Sequence, residues 1–313
     1  MSAIKYVVDE LGENYDDRLW WRNRLTARVI APTHRRFGSR ANAVRLMDED
    51  WDNLLVLDAC RADLFESVAD TGRFDTYRRV TSLGSMTEEW TEQNFESRAF
   101  GDTVYVACNP ITSRVAPDAF HDLIEVWREA FDEDHKAIMP GAVTKAARET
   151  HERYPNKRLI AHFLQPHIPF VDSPELVFRD WWSPERSFDE TDADPPRNVW
   201  GAMAMGLVGY DEVWDAYEQN LRLGLDGALT LAEDLPGKTV ITSDHGNMMG
   251  ERTWPIPMKL YGHPRDLRSD PLVTVPWAVL DGDRREVVDD GVGSSTGAEG
   301  EEITDRLRAL GYH

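Results

Sequence analysis

Lys238 to Gly250 reads KTVITSDHGNMMG. Thr239 to Thr242 is a short β-branched run, and it delivers Ser243, Asp244, His245 and Gly246 into a glycine-punctuated loop. A carboxylate beside an imidazole at the end of a buried strand is a pair of metal-ligating groups, or else simply a polar loop. If the strand is one of several parallel strands, its carboxyl end is where an open α/β sheet gathers its ligands. The rest of the chain is therefore scanned for further polar residues at strand ends.

Upstream, Asp52 to Leu57 (DNLLVL) is an apolar run of strand length that ends in Asp58-Ala59-Cys60-Arg61, and Asp63 to Asp70 follows with helical spacing. Asp58 is thus a ligand candidate or a helix cap. Phe74 to Thr81 alternates like a strand and leads through Ser82-Leu83-Gly84-Ser85-Met86-Thr87 into a helix from Glu88 to about Phe95. Ser85 with Glu88 three residues on is a capping box. The same geometry suits an oxyanion, because a helix N-terminus offers unpaired N–H groups and a positive dipole end. A hydroxyl there, held on a cation, is a nucleophile: Ser85 first, Thr87 as the alternative.

Asp102 to Cys108 forms another strand and ends in Asn109-Pro110, where Asn109 is a substrate hydrogen-bond donor or a turn former. Ala116 to Phe131 and Gly141 to Tyr154 read as helices. Arg158 to Leu164 is the next apolar strand, running into Gln165-Pro166-His167-Ile168-Pro169-Phe170, with His162 and His167 at its end. Val171 to Gly209 is irregular, holding Trp181, Trp182 and Trp200 among prolines and acids, and reads as a substrate lid. Tyr210 to Leu235 is a long amphipathic helix. Beyond the opening stretch, a loop carries Trp254, Pro255, Pro257, Lys259, Gly262 and His263. Leu272 to Leu280 is a last strand, which Pro276 marks as an edge or bulge. Gly291 to Gly300 is a linker, and Ile303 to Leu310 a closing helix. Strands alternating with helices predict an α/β fold, a doubly wound, mainly parallel sheet flanked by helices.

Composition bounds the function. The 313 residues carry 56 acids against 35 bases, a net charge of −21. That balance predicts a salt-adapted cytoplasmic protein and argues against nucleic-acid binding. Cys60 and Cys108 lack framework spacing and read as reduced core residues. No secretory leader is visible in Met1 to Leu11, and no apolar run approaches the ~20 residues of a membrane helix. Arg18 to Leu46 is the exception to the acidic balance, with eight Arg and no acid. It reads as a helix packed on the body of its own domain, kept short by Pro32, or as a peripheral membrane contact. Nothing in the sequence fixes the oligomeric state.

Taken together, LVLDACRADLF around Asp58, GSMTEEW around Ser85, HFLQPHIPF around His167, VITSDHGN around Asp244 and YGHP around His263 resemble the alkaline phosphatase superfamily. The likeness is to its sulfatase-like and lipoteichoic-acid-synthase-like, phosphoglycerol-transferase-like branch, over roughly residues 50 to 280. It implies an alkaline-phosphatase-like catalytic domain at 48–285 with the lid at 171–209, an Arg-rich helical extension at 1–47, and an acidic linker with a C-terminal helix at 286–313. It also implies a divalent metal on Asp58, Ser85, Asp244, His245 and His263, with Ser85 (or Thr87), His167 and His162 catalytic. His162, His167, His263, Asn109 and Arg61 would bind substrate.

One ion is the simplest reading; a second would require His162 to replace a family Asp whose position is Phe163 here. Cys60, followed by Arg61 and Ala62, departs from the formylglycine motif of true sulfatases. The Asp-His pair favours Mn or Zn over Ca. The expected activity is hydrolysis or transfer of phosphate esters, less so sulfate esters, on a small-molecule or glycan- or lipid-linked substrate. The other reading is a non-catalytic binding protein of the same fold, docking through its Arg-rich segment.

Overall fold

The computed structural model describes residues 15, 18–38, 40, 42–178, 196, 198–293 and 300–309. Trp181, Trp182 and the middle of the expected lid, 179–195 and 197, lie outside them. In chain order the strands are β1 (Asn53–Leu57), β2 (Thr76–Thr81), β3 (Phe100–Ala107), β4 (Phe120–Glu125), β5 (Phe131–Asp132), β6 (Ala137–Ile138), β7 (Arg158–Phe163), β8 (Thr239–Thr242), β9 (Met248–Arg252), β10 (Lys259–Gly262) and β11 (Thr274–Leu280). Seven of them form one sheet in the order β2-β11-β8-β1-β7-β3-β4.

The apolar runs NLLVL and TVIT are buried at every position. Such runs suit strands covered on both faces, and β8, β1, β7, β3 and β4 are parallel neighbours. β11 runs antiparallel between β8 and β2. The sheet is thus mixed but mainly parallel and flanked by helices, as the alternating pattern predicts. The amphipathic helix spans Tyr210–Asp234 and buries Val213, Tyr217, Leu221, Leu225 and Ala228, which recur at helical spacing.

Four expectations are corrected. Ala116 to Phe131 is not a helix: Phe120–Glu125 pairs beside β3 as an edge strand, and only Val126–Glu129 is helical. The apolar spacing there fits either period, and the open edge of β3 decides. Pro276 lies in an interior strand, paired with Arg79 of β2, one residue beyond the last β8 pairing at Trp277, so no ladder bond to β8 is lost. The segment around His263 is not a plain loop, because β9 and β10 pair as a hairpin from Met248 to Gly262. Pro32 does not end the N-terminal helix. Arg18–Leu25 runs through a π-helical turn, Thr26–Ile30, into Ala31–Phe37, and the wider turn precedes the proline that lacks an N–H. This N-terminal arm lies on the hairpin, where Ile30 joins Met248, Leu260, Leu267, Leu272 and Val273 in a small core of their own.

Candidate metal and active site

Parallel pairing brings the carboxyl ends of β1, β7, β3 and β8 to one edge, and the polar residues collect there. Asp58 follows β1, Cys108 and Asn109 follow β3, His162 ends β7, and Asp244-His245 follows β8; all are buried. Two groups of ligand-capable atoms, each within 4.8 Å of one another, share Asp58: one with Asp244 and His245, the other with Cys108 and His162.

Asp244 is fixed by its own surroundings. Its Oδ1 accepts from the Ala59 N–H at 2.9 Å and from the His245 N–H at 2.8 Å. That leaves Oδ2 without a hydrogen-bond donor among the described residues, 3.4 Å from His245 Nε2. Burial opposes ionisation of Asp244, but His245, His162, the Ala59 N–H and the Thr87 hydroxyl outweigh it and hold the carboxyl below its ordinary range. His245 donates from Nδ1 to the Gly246 carbonyl at 2.8 Å, which turns the Nε2 lone pair toward Asp58 Oδ1 at 3.8 Å and Thr87 Oγ1 at 3.2 Å.

The histidines differ in their use. His162 Nδ1 shares a 2.8 Å hydrogen bond with the Tyr105 hydroxyl, and its Nε2 sits 3.6 Å from Asp58 Oδ2 without a hydrogen-bond partner among the described residues. His167 donates from Nδ1 to the Ile168 carbonyl at 2.6 Å, and its own N–H is held by the Asp58 carbonyl at 3.1 Å. Burial pulls both imidazoles down to about 4, so both stay neutral and able to ligate or accept. His263 bonds Asn247 Oδ1 at 2.7 Å and packs its ring 4.8 Å from His245 and 5.3 Å from His167.

The two candidate hydroxyls meet different partners. Ser85 donates to Glu89 Oε2 at 2.8 Å and lies 3.0 Å from the Pro264 carbonyl, while its oxygen accepts from the Leu267 N–H. It ties the loop after His263 to the helix Thr87–Phe95. The expected capping partner Glu88 instead pairs with Arg114 and Arg265, because the helix starts at Thr87 and brings Glu89 under Ser85. Thr87, in the first turn of that helix, is the hydroxyl that meets His245. Gly84 makes this approach possible, since a Cβ there would overlap the Trp90 backbone.

Arg61, expected at the substrate, meets protein groups. Its guanidinium is spent on Asp63 at 2.6 Å, Glu251 at 2.6 Å and the Asn247 carbonyl at 2.9 Å, so it braces the hairpin. Asn109 donates to Asp58 Oδ2 at 3.2 Å and orients that carboxylate. Cys108 is the residue sequence reasoning missed; its place directly after a strand, next to Asn109, was the signal. The donor set of carboxylates, neutral imidazoles and a thiol, with the orphaned Asp244 Oδ2 and His162 Nε2, fits a divalent metal.

No protein-family model matches the chain, and no curated protein matches it by sequence. Solved structures do. The integral membrane lipooligosaccharide phosphoethanolamine transferase A of Neisseria meningitidis is similar at 12% identity over 74% of this chain, with a TM-score of 0.49. This chain spans about half of that protein, 47% of its length. The C-terminal periplasmic domain of phosphoethanolamine transferase EptC from Escherichia coli, in complex with Zn, is similar at 14% identity over 75% of this chain and 74% of that one, TM-score 0.45. The lipoteichoic acid synthase LtaP of Listeria monocytogenes is similar at 13% identity over 91% and 79%, TM-score 0.41. The expected cytoplasmic location is withdrawn, because three of the similar solved structures, the EptC domain in complex with Zn among them, are C-terminal periplasmic domains. No helix among the described residues is long and apolar enough to cross a membrane.

Proposed function

We propose that the chain is a metal-dependent phosphoester hydrolase or phosphotransferase with Thr87 as its nucleophile. The observation that carries this reading is the Thr87 hydroxyl, 3.2 Å from His245 Nε2, over buried Asp58 and Asp244. Asp58, Asp244 and His245 would hold one divalent ion, Zn or Mn, which when bound supplies a lower pKa for the hydroxyl and charge neutralisation for the phosphoryl oxygens.

The chain's own residues do the rest. His245 is locked by the Gly246 carbonyl so that Nε2 faces Thr87, and the helix N-terminus adds N–H groups and a positive dipole end for phosphoryl oxygens. The Thr87 Oγ–P bond forms as the ester P–O bond breaks, with the hydroxyl proton balanced by the one the departing alcohol takes up; water or an acceptor alcohol then attacks phosphorus, the Oγ–P bond breaks, and Thr87 regains a proton. His167, its Nδ1–H held by the Ile168 carbonyl, keeps Nε2 as an acceptor beside His245, and His263 packs against both rings, while Asn109 keeps Asp58 in place. Cys108, as a soft ligand next to Asp58 and His162, favours Zn over Mn. The substrate in this reading is a small or lipid-linked phosphoester; an extension at 1–47 and a lid at 171–209 belong to the same proposal.

The test is hydrolysis of 4-nitrophenyl phosphate and its diesters with added Zn or Mn. Thr87→Val should lose about 10³-fold or more in kcat. Ser85→Ala should stay within about tenfold and cost about 1–3 kcal/mol of stability, because the Leu267 N–H loses its acceptor. Full activity in Thr87→Val, with loss in Ser85→Ala, would restore Ser85 and sink this assignment.

A further inference from the structure

A cleft of about 410 Å³ lies between the N-terminal arm and β10, walled by Arg22, Thr26, Ala27, Tyr261, Pro264 and Arg265. That volume is within the range of small-molecule sites. Pro264 of its wall directly follows His263, whose ring packs on His245 and His167.

The charges in its wall are mostly accounted for. Arg265 is engaged by Glu88 and Glu92, and Asp266 lies 3.9 Å from Arg35. Arg22 differs: its guanidinium stands 5.5 Å over the Tyr261 ring, and among the described residues no carboxylate pairs with it. Burial pulls its pKa down, and no acid counters that shift. A partly desolvated cation without an anion is an unfavourable arrangement that an incoming anion would relieve. The π-helical turn Thr26–Ile30 supplies Thr26 and Ala27 to this wall, and such turns concentrate at functional sites.

We propose that this cleft receives an anionic group, phosphate or carboxylate, that the substrate carries away from its scissile ester, with Arg22 as the charge partner and Tyr261 and Pro264 against the adjoining apolar part. The inference rests on the phosphoester reading of the neighbouring site, and its test separates the two. Binding of phenylphosphonate, a non-cleavable anion with an apolar body, is measured by calorimetry in the Asp244→Ala background, where the metal site is disabled. One equivalent should bind, and adding Arg22→Gln should weaken it by about tenfold or more while Arg22→Lys retains most of it. Ala27→Trp, which fills the cleft from the arm, should abolish it even if Arg22→Gln folds poorly.

No binding in Asp244→Ala, or binding indifferent to both Arg22→Gln and Ala27→Trp, overturns the proposal. Inorganic phosphate binding as tightly as phenylphosphonate would assign the cleft to free phosphate and overturn the substrate part. Cleft binding in a chain that turns over no phosphoester would sink the proposed activity alone.

Discussion

Asp244→Asn separates the fold of the site from its chemistry. The variant keeps an oxygen where Oδ1 accepts from the Ala59 and His245 N–H groups, and it places an uncharged amide where Oδ2 meets His245 Nε2. Without metal, two effects oppose. Removing one of two buried carboxylates with oxygens within 4.8 Å of each other relieves at least about 3.5 kcal/mol of repulsion at an effective dielectric of about 20. Losing the charge from those accepted hydrogen bonds costs about 2–3 kcal/mol. The metal-free variant should therefore melt close to wild type, within about 1–2 kcal/mol.

With metal the two proteins should part. An ion at about 100 times its Kd stabilises a binding-competent chain by about 2.7 kcal/mol, and at about 1,000 times by about 4.1. At about 2.1 cal/mol/K of unfolding entropy per residue, 313 residues convert each kcal/mol to about 1.5 °C. Wild type should gain about 4–6 °C and Asp244→Asn less than about 1 °C. The assay is a thermal melt of chelator-stripped protein titrated with Zn or Mn. An equal metal-dependent rise in both proteins, or none in wild type, would refute the assignment of Asp244 as a ligand.

Arg61→Ala should lower stability by about 2 kcal/mol, the low end for a broken buried pair because Asp63 and Glu251 are partly solvated. KM should change less than about threefold, and a large KM effect with an unchanged melt would return Arg61 to the substrate. Gly84→Ala should cost more than about 2 kcal/mol and lower kcat, because the added Cβ pushes the helix that carries Thr87 away from His245; wild-type kcat would contradict this.

Acidification should loosen the arm at His34. Its Nδ1 accepts from the Arg268 N–H at 2.9 Å and its Nε2 meets the Trp254 carbonyl at 2.8 Å. Burial first, and Arg268 as well, hold its pKa below 6.5. The unfolded chain therefore takes the proton first, and stability falls as pH drops below about 6.5, until the folded group is also protonated. Protection factors of residues 18–38, corrected for intrinsic exchange at each pH, should fall from pH 8 to 5, less so in His34→Gln; no difference between the two would exclude His34 as the cause.

Much of the site was legible because its residues follow runs that allow one reading. NLLVL, RLIAHF and TVIT are short, β-rich and bounded by turn residues, so Asp58, His162 and Asp244 could be placed at strand ends before any contact was known. The choice between Ser85 and Thr87 was not legible. Both lie within one turn of a helix start, and the decision belongs to Glu89, which buries itself between Ser85, Arg40 and Arg268. The partners of Arg61 were not legible for a related reason: Asn247 and Glu251 lie far downstream, at a separation of 186 for Asn247. Phe120–Glu125 went astray because its period is ambiguous and an open strand edge, a tertiary fact, settled it.

The sharing of Asp58 by both ligand groups also bears on how the chain folds. β1, which leads to Asp58, neighbours both β7 with His162 and β8 before Asp244, but the bond from Ala59 to Asp244 closes the longer separation, 185 residues. Contacts of that span form late, after loop-closure entropy has been met by the rest of the sheet. A nascent chain therefore holds Asp58, Cys108 and His162 before Asp244 and His245 exist to complete the other group. Metal captured early would sit on the Cys108 side, and full-length closure of β8 against β1 is what offers it the place beside Thr87.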